Sequence, residues 1–402
     1  MRAGWQELRL GDVCEFRPSK DEVRARIDGT DRVSFAPMED LGIGRKFLEP
    51  QSTRSLSEVA GSYTYFADGD VLLAKITPCF ENGKLGIARN LTNGAGFGSS
   101  EYIVFRPDER LLNEYLYYFL SRDDFRTEGA ERMSGAVGHK RVSKDFIEQY
   151  RIPLPPLPEQ HRVVAILDQA FESIATAKAN TERSLRMARE VFESHLSSAF
   201  AELETTSETA PAMDLCTRIT VGHVGSMAGE YKATGIPFLR SQNIRPFFVS
   251  LDNVVYIDNG FHTSLGKSQL RAGDLAIVRT GYPGTAAVIP EWLGEANCSD
   301  LVIVRPKPNV DPHFLALFFN SSFGKSLVAG QLVGAAQKHF NVTAAKDVPI
   351  PNLPLPEQRQ IVARFDALRE RTSELEEIGQ RKLAALEQLR ASLLHQAFHG
   401  DL

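Results

Sequence analysis

Two stretches of the chain repeat apolar positions on a 3-4 spacing for about 40 residues each, far beyond the ~8 to 20 residues of an ordinary globular helix. In the first stretch the positions are Leu167, Phe171, Ile174, Leu185, Ala188, Phe192 and Ala199, with a polar break at Lys178 and Thr181. In the second they are Phe365, Leu368, Leu375, Leu386, Leu389 and Leu393. This pattern predicts two long helices with a coiled-coil seam. The prolines ahead of Glu159 and Glu357 supply start signals, because proline fits only the first turn of a helix. At ~1.5 Å per residue each helix makes a rod of ~60 Å. Two such rods in one chain most simply bury their stripes against each other, and an antiparallel pairing would place what precedes them at opposite ends about a pseudo-two-fold axis.

The two stretches are copies. Ile152 to Phe200 aligns without a gap on Ile350 to Phe398 at an offset of 198, with 17 of 49 positions identical, opening on I-P-L-P-P-L-P-E-Q and I-P-N-L-P-L-P-E-Q. The copying extends upstream. Gly98 to Pro107 (G-S-S-E-Y-I-V-F-R-P) answers to Asn297 to Pro306 (N-C-S-D-L-V-I-V-R-P), and Asp68 to Thr77 answers to Arg271 to Thr280. These β-branched runs bounded by Gly, Pro and Asp read as strands with tight turns. Tyr115 to Leu120 (Y-L-Y-Y-F-L) and Phe314 to Phe319 (F-L-A-L-F-F) read as short buried helices. Each half is thus expected to be a mixed α/β globule followed by one long helix: residues 1–155 and 156–204, then 205–353 and 354–402. Thr205 to Ala212 (T-T-S-E-T-A-P-A) reads as a polar linker.

Composition narrows the class. With 43% hydrophobic and 24% charged residues the chain is that of a soluble globular protein. No window suggests a cleavable signal or a membrane span, so a cytoplasmic location away from the membrane is expected. Cys14, Cys79, Cys216 and Cys298 lie far apart with no C-x-x-C pair, which argues for reduced thiols rather than zinc or disulfides. A net charge of -5 gives no general preference for nucleic acid, although basic clefts can sit on an acidic background.

Catalytic constellations are missing where they would be expected. Gly260 to Ser268 (G-F-H-T-S-L-G-K-S) has five residues between its glycines where a phosphate-binding loop needs four. No G-x-G-x-x-G follows a strand, Pro155-Pro156 lacks the flanking polar and aromatic residues of adenine methyltransferases, and His395 and His399 have no third metal ligand nearby. Binding chemistry is better represented. The loops V-G-H-K-R-V (Val137 to Val142) and A-Q-K-H-F-N (Ala336 to Asn341) follow Gly135-Ala136 and Gly334-Ala335, and L-R-S-Q-N-I-R spans Leu239 to Arg245. Their side chains suit base edges, since Arg and Lys match guanine acceptors while Gln and Asn match adenine.

The doubled P-L-P-E-Q segments resemble those of the specificity subunit of type I restriction-modification systems. So do Asp70 to Lys84 (D-V-L-L-A-K-I-T-P-C-F-E-N-G-K), Gly273 to Thr285, Ile236 to Arg245 and the terminal A-F-H-G-D-L (Ala397 to Leu402). The resemblance implies a mixed α/β fold of two tandem target recognition domains separated by two long antiparallel coiled-coil helices. It also implies a non-catalytic reader of double-stranded DNA that recruits two methyltransferase subunits and the restriction/translocase subunits. S-adenosylmethionine, ATP and Mg²⁺ would belong to those partners, with no cofactor on this chain. One departure is that Trp5 to Cys14 (W-Q-E-L-R-L-G-D-V-C) has only M-D-L-C (Met213 to Cys216) as its counterpart. The expected DNA-contacting residues are His139, Lys140 and Arg141 in the first domain and Arg240, Gln242, Asn243, Arg245, Gln337, Lys338 and His339 in the second. Lys75 and Arg279, at matched strand ends, are expected as phosphate clamps or internal salt-bridge partners. The candidate loops differ, His139, Lys140 and Arg141 standing against Lys338, His339 and Phe340, so two different half-sites about one helical turn (~34 Å) apart are expected. Val163 and Ile361 are candidates for a partner-binding face. A scaffold whose globules bind peptides or small ligands is the alternative.

Overall fold

A computed structural model describes residues 4–402 apart from Val137, Ala228 and residues 331–338. The chain forms two compact units, Met1–Thr181 with Arg381–Leu402 and Glu182–Gln380. Each contains one globule and one stretch of each long helix, Leu157–Thr206 and Leu355–His399.

In the first unit, Cys14–Phe16, Tyr102–Pro107, Val71–Ala74, Leu85–Ala88 and Phe47–Leu48 form a five-stranded sheet in that order. A second sheet orders Ser52–Ser55, Arg32–Ala36, Ala95–Gly98 and Thr64–Ala67. In the second unit the counterpart of the first sheet is Cys216–Val221, Leu301–Pro306, Leu275–Val278 and Ala286–Val288, and the other sheet orders Val255–Ile257, Ile236–Leu239, Ala296–Cys298 and Gln269–Leu270. Both expected short helices are present, Asn113–Leu120 and Pro312–Asn320. They are apolar on every side because they are buried on every side: Tyr115 to Leu120 and Phe314 to Phe319 are all core residues.

The repeated strand motifs carry a matched polar device. Arg106 grips buried Asp70 through two bonds of 2.8 Å, and Arg305 grips buried Asp274 through two of 2.7 Å. Each carboxylate also caps its own turn, accepting from the N–H of Ala67 at 2.7 Å or Arg271 at 2.9 Å. A buried carboxylate is tolerated only with such a full set of donors. The Asp70 bond is also the main cause that raises the Arg106 pKa above its ordinary value.

The P-L-P-E-Q repeat is more than a helix start. Gln160 is buried; its Oε1 accepts from Leu112 N–H at 2.9 Å, and its Nε2 donates to the carbonyls of Arg110 and Pro155, both at 2.8 Å. Gln358 does the same in the second unit, accepting from Asp311 N–H at 2.8 Å and donating to Leu353 at 2.8 Å and Asn309 at 3.3 Å. One amide thereby satisfies three backbone groups, two in the turn before each short helix and one in the segment that leads into the long helix.

Three expectations need correction. Thr205 to Ala212 is not a linker: the helix runs to Thr206, and Thr209–Pro211 is a strand paired with Pro349–Pro351, just as Gln6–Arg9 pairs with Arg151–Leu154. Ala212 N–H donates to Val348 at 2.9 Å as Leu10 N–H donates to Tyr150 at 2.9 Å, so the second globule opens with a backbone counterpart of the L-G-D element. Leu375 and Leu389, expected in the seam, are about half exposed; between them Gly379 is buried and Glu376, Leu383 and Leu386 are partly buried. Val163 is core, and Ile361 packs partly buried against the second core, so neither offers a free face.

Within each unit the helix stretches run antiparallel. In the first, Lys178 pairs with Glu387 at 2.8 Å and Arg162 donates to Leu402 at 2.6 Å. In the second, Arg189 pairs with Glu376, the rings of Phe192 and Phe365 lie 6.2 Å apart, and Leu185 fills the space over Gly379, where a Cβ would meet it at 2.6 Å.

Candidate nucleic-acid interface

Antiparallel pairing places the end of one strand beside the start of its neighbour, and this builds a charged cluster in the first globule. Ala74 stands opposite Tyr102, which leaves Lys75 and Glu101 side by side just beyond the ladder. The 139–142 loop is laid across that end: Thr77 N–H donates to Lys140 and Val142 N–H to Lys75, both at 2.9 Å. Arg141 then donates from Nε and Nη2 to the two Glu101 oxygens at 2.8 and 2.7 Å, and from Nη1 to the His139 carbonyl at 3.0 Å. Lys75 Nζ donates to the Ser100 carbonyl at 2.9 Å and lies 4.0 Å from Glu101.

The electrostatics follow from this crowding. Burial lowers the Lys75 pKa; Glu101 opposes the shift, and Arg17 and Arg141 add to it. The Arg141 hydrogen bond lowers the Glu101 pKa against the opposing effect of burial. Lys75 and Arg141 thus share one carboxylate, with the Arg17 charge felt by Lys75 and with His139 and Lys140 exposed alongside. That is a local positive excess on a chain of net charge -5.

The second globule repeats the plan. Val278 stands opposite Leu301, which sets Arg279 beside Asp300. Arg279 Nη1 and Thr280 Oγ1 each donate to Asp300 at 2.9 Å. Phe340 N–H donates to the Arg279 carbonyl at 3.1 Å, and Arg279 Nε returns a bond to the Phe340 carbonyl at 3.1 Å. His223 joins from a third segment, with Asp300 N–H donating to its carbonyl at 3.3 Å.

These bonds revise the register between the two loops. Val142 and Phe340 make the same bond to the strand end, and the next residues, Ser143 and Asn341, both cap the following short helix. Arg141 is therefore the counterpart of His339, one residue away from the alignment read in the sequence. His339 is partly buried, and Gln337 and Lys338 lie outside the described residues.

The remaining expected contacts divide. Asn243 is buried, its Nδ2 donating to the carbonyls of Ser250 (3.0 Å) and Asp252 (3.2 Å) and its Oδ1 accepting from Arg240 N–H at 3.1 Å. It holds the loop together and cannot also present its amide to a base. Arg240 Nη2 donates to the Asn253 carbonyl at 2.7 Å while its buried Nε has no partner among the described residues; Gln242 beside it is exposed. Both follow the strand whose last residue, Leu239, accepts from Ser299 N–H at 3.0 Å, next to Asp300. Arg245 is exposed in the hairpin Ile244–Arg245 and Phe248–Val249, where Phe247 packs on Phe192 with ring centres 6.0 Å apart. Lys75 and Arg279 lie in ion pairs with Glu101 and Asp300, at 4.0 and 2.9 Å.

Sequence reasoning missed Arg17, Glu101, His223, Thr280 and Asp300. The repeat held a signal for two of them: S-E and S-D stand at the same place in both copies, an acid kept beside basic strand ends. Among the described residues no group of three or more His, Cys, Asp or Glu is arranged to hold a metal ion, and no helix is long and apolar enough to cross a membrane.

Residues 2–183 and 227–388 match the profile of the type I restriction modification DNA specificity domain. The type I restriction enzyme EcoEI specificity subunit of Escherichia coli is 39% identical over 162 residues, 40% of this chain and 27% of that protein. The EcoAI specificity subunit, also from Escherichia coli, is 36% identical over the same shares. The chain thus matches about a quarter of the length of these relatives. A solved chain from a study of complex assembly and conformational transition of the type I R-M system covers 100% of this chain and 99% of its own, with a TM-score of 0.83 at 20% identity, a likeness of fold.

Proposed function

Because this chain belongs to the family of type I restriction-modification DNA specificity proteins, we propose that each of its globules reads one half of a bipartite, asymmetric DNA target for a methyltransferase it does not itself contain. The observation that carries the reading is the pair of matched strand-end clusters, Lys75, Glu101 and Arg141 in one globule and Arg279, Asp300 and His339 in the other. Each is built by the same backbone bonds but presents different side chains. A shared framework with divergent presented groups suits two different half-sites.

Within each cluster the roles separate by exposure. Lys140 and His139, exposed beside the ion-paired Arg141, are the residues this reading assigns to base edges. Lys75 and Arg279 act from within, holding the carboxylates that orient the loop. Arg240, Gln242 and Arg245 extend the second surface. The catalytic chemistry, with S-adenosylmethionine, ATP and Mg²⁺, belongs to the methyltransferase and translocase subunits.

The helices carry the partner-binding role. Met187, Val191, Leu375 and Ile378 are each about half exposed. Each stands one position before Ala188, Phe192, Glu376 or Gly379 on the packed side, so on an antiparallel pair all four fall on one flank. By the Arg189 and Glu376 register, Met187 is level with Ile378 and Val191 with Leu375. An apolar flank on an otherwise charged helix pair is the kind of surface a protein partner covers, and a methyltransferase subunit is the occupant this family reading assigns.

The test is methylome sequencing of a host expressing the full chain with a cognate methyltransferase, beside the Lys140→Ala variant. The expected result is a split, asymmetric methyladenine motif, relaxed in one half only by the substitution. No new methylation with both proteins expressed, or purified-complex DNA binding that does not weaken with added salt, would overturn the reading.

A further inference from the structure

We propose that Tyr282 is a base-contacting specificity residue of the second globule, a role that rests on the DNA-reading function above. Its side chain is 81% exposed, and no ring or cation contact to it is present among the described residues. The turn carrying it is closed by its own backbone bonds. Val278 N–H donates to Thr285 at 2.8 Å, Gly284 N–H to Val278 at 3.1 Å and Thr285 N–H to Tyr282 at 3.2 Å. Gly281 and Gly284 hold φ of 82° and 91°, a region that other residues avoid, and Pro283 fixes the backbone between them. A large aromatic ring is thereby carried into water on a turn closed by backbone hydrogen bonds.

The location gives the ring its partner. The turn leaves the strand end at Arg279 and Thr280, both bonded to Asp300, and Arg279 is tied to Phe340 next to His339. Tyr282 therefore stands three residues from the centre of the second cluster, on the segment that closes it.

Comparison of the two copies removes a structural explanation. The matching connection in the first globule also carries an aromatic residue, Phe80, but that ring is fully buried, 6.0 Å from Phe125 and filling the space over Gly129. One copy spends its aromatic on the core; the other keeps it in solvent beside basic and polar groups. An exposed ring in such a place suits the face or methyl group of a nucleobase, where aromatic side chains bind without needing a charge.

The experiment uses the full chain in complex with its methyltransferase, with wild type, Tyr282→Phe and Tyr282→Ala measured by competition binding. The probes are the target duplex and the same duplex with the second half-site scrambled. Tyr282→Ala is expected to lower target affinity about tenfold or more while leaving the scrambled duplex nearly unchanged, and Tyr282→Phe to stay close to wild type. An unchanged target-to-scrambled ratio in Tyr282→Ala, or an equal loss on both duplexes, overturns the proposal. If wild type itself fails to discriminate the duplexes, the DNA-reading function fails instead, and the two failures are distinct. Because the side chain is mostly exposed, the variants should melt close to wild type, which the same preparations can check.

Discussion

Replacing Gln160 by alanine removes one side chain and strands three backbone groups at once. Leu112 N–H loses its 2.9 Å acceptor, and the carbonyls of Arg110 and Pro155 lose their 2.8 Å donors, around a side chain that is itself fully buried. A buried group left unpaired costs ~1–3 kcal/mol; with some relief from water entering the space of the lost side chain, a net loss of about 3 kcal/mol is expected. Gln358→Ala should cost less, about 2 kcal/mol, because the 3.3 Å bond to Asn309 is already long and contributes weakly. Gln160→Glu sharpens the reasoning. It keeps an acceptor for Leu112 but turns a buried carboxylate oxygen toward two carbonyls, so at neutral pH it should be worse than alanine. Protonation would restore an O–H donor and remove the charge, so its deficit should shrink on acidification. Urea unfolding gives the stability, and hydrogen-exchange mass spectrometry across Leu111 to Leu120 reports whether the loss begins at the stranded amide. A loss under about 1 kcal/mol for both alanine variants, or a glutamate variant as stable as wild type at neutral pH, would show that these bonds do not hold helix to globule as argued.

Other consequences are open to direct measurement. Arg141 keeps the Glu101 carboxyl below its ordinary 4.5, so the pair stabilises the fold above that value and loses its effect as pH falls through the depressed one. The difference in urea midpoint between wild type and Arg141→Ala should therefore narrow from about pH 6 to about pH 3; a constant difference would mean the bond does not persist in solution. Burial pushes the Cys14 and Cys216 thiols up to about 12 and raises the Cys298 thiol as well, whereas Cys79 is partly exposed. Alkylation of the native protein at about pH 8 should mark Cys79 first, with all four labelled after denaturation; rapid native labelling of Cys298 would contradict the buried strand that carries it. Leu375→Asp and Ile378→Asp lie on the exposed flank of the helix pair, so they should leave the melting temperature nearly unchanged while reducing co-purification of a methyltransferase subunit at least tenfold; undiminished co-purification would place the partner elsewhere.

The repeat, the long helices, the strand runs and the short buried helices were legible because each rests on a local period: 3-4 spacing, β-branched runs between turn residues, and copies at a fixed offset. Those signals depend only on neighbours in the chain. What each side chain touches was not legible. Asn243 and Gln242 are adjacent and chemically alike, yet one is sealed inside a loop and the other exposed, because the Ser250 and Asp252 carbonyls turn back onto the first. Leu375 and Leu386 share a stripe by spacing, but the facing helix covers only Leu386 in part. The T-T-S-E-T-A-P-A segment reads as a linker by composition and becomes helix end and strand because Pro349–Pro351, far along the chain, supplies its partner. Glu101 and Arg141 meet across 40 residues only once the antiparallel ladder has set a strand end beside a strand start. The sequence alone determined which segments become elements and that they occur twice, since those follow from local periodicity. Only the tertiary structure decided which polar groups are consumed as framework and which remain to face a ligand, since that depends on backbone groups brought together from distant parts of the chain.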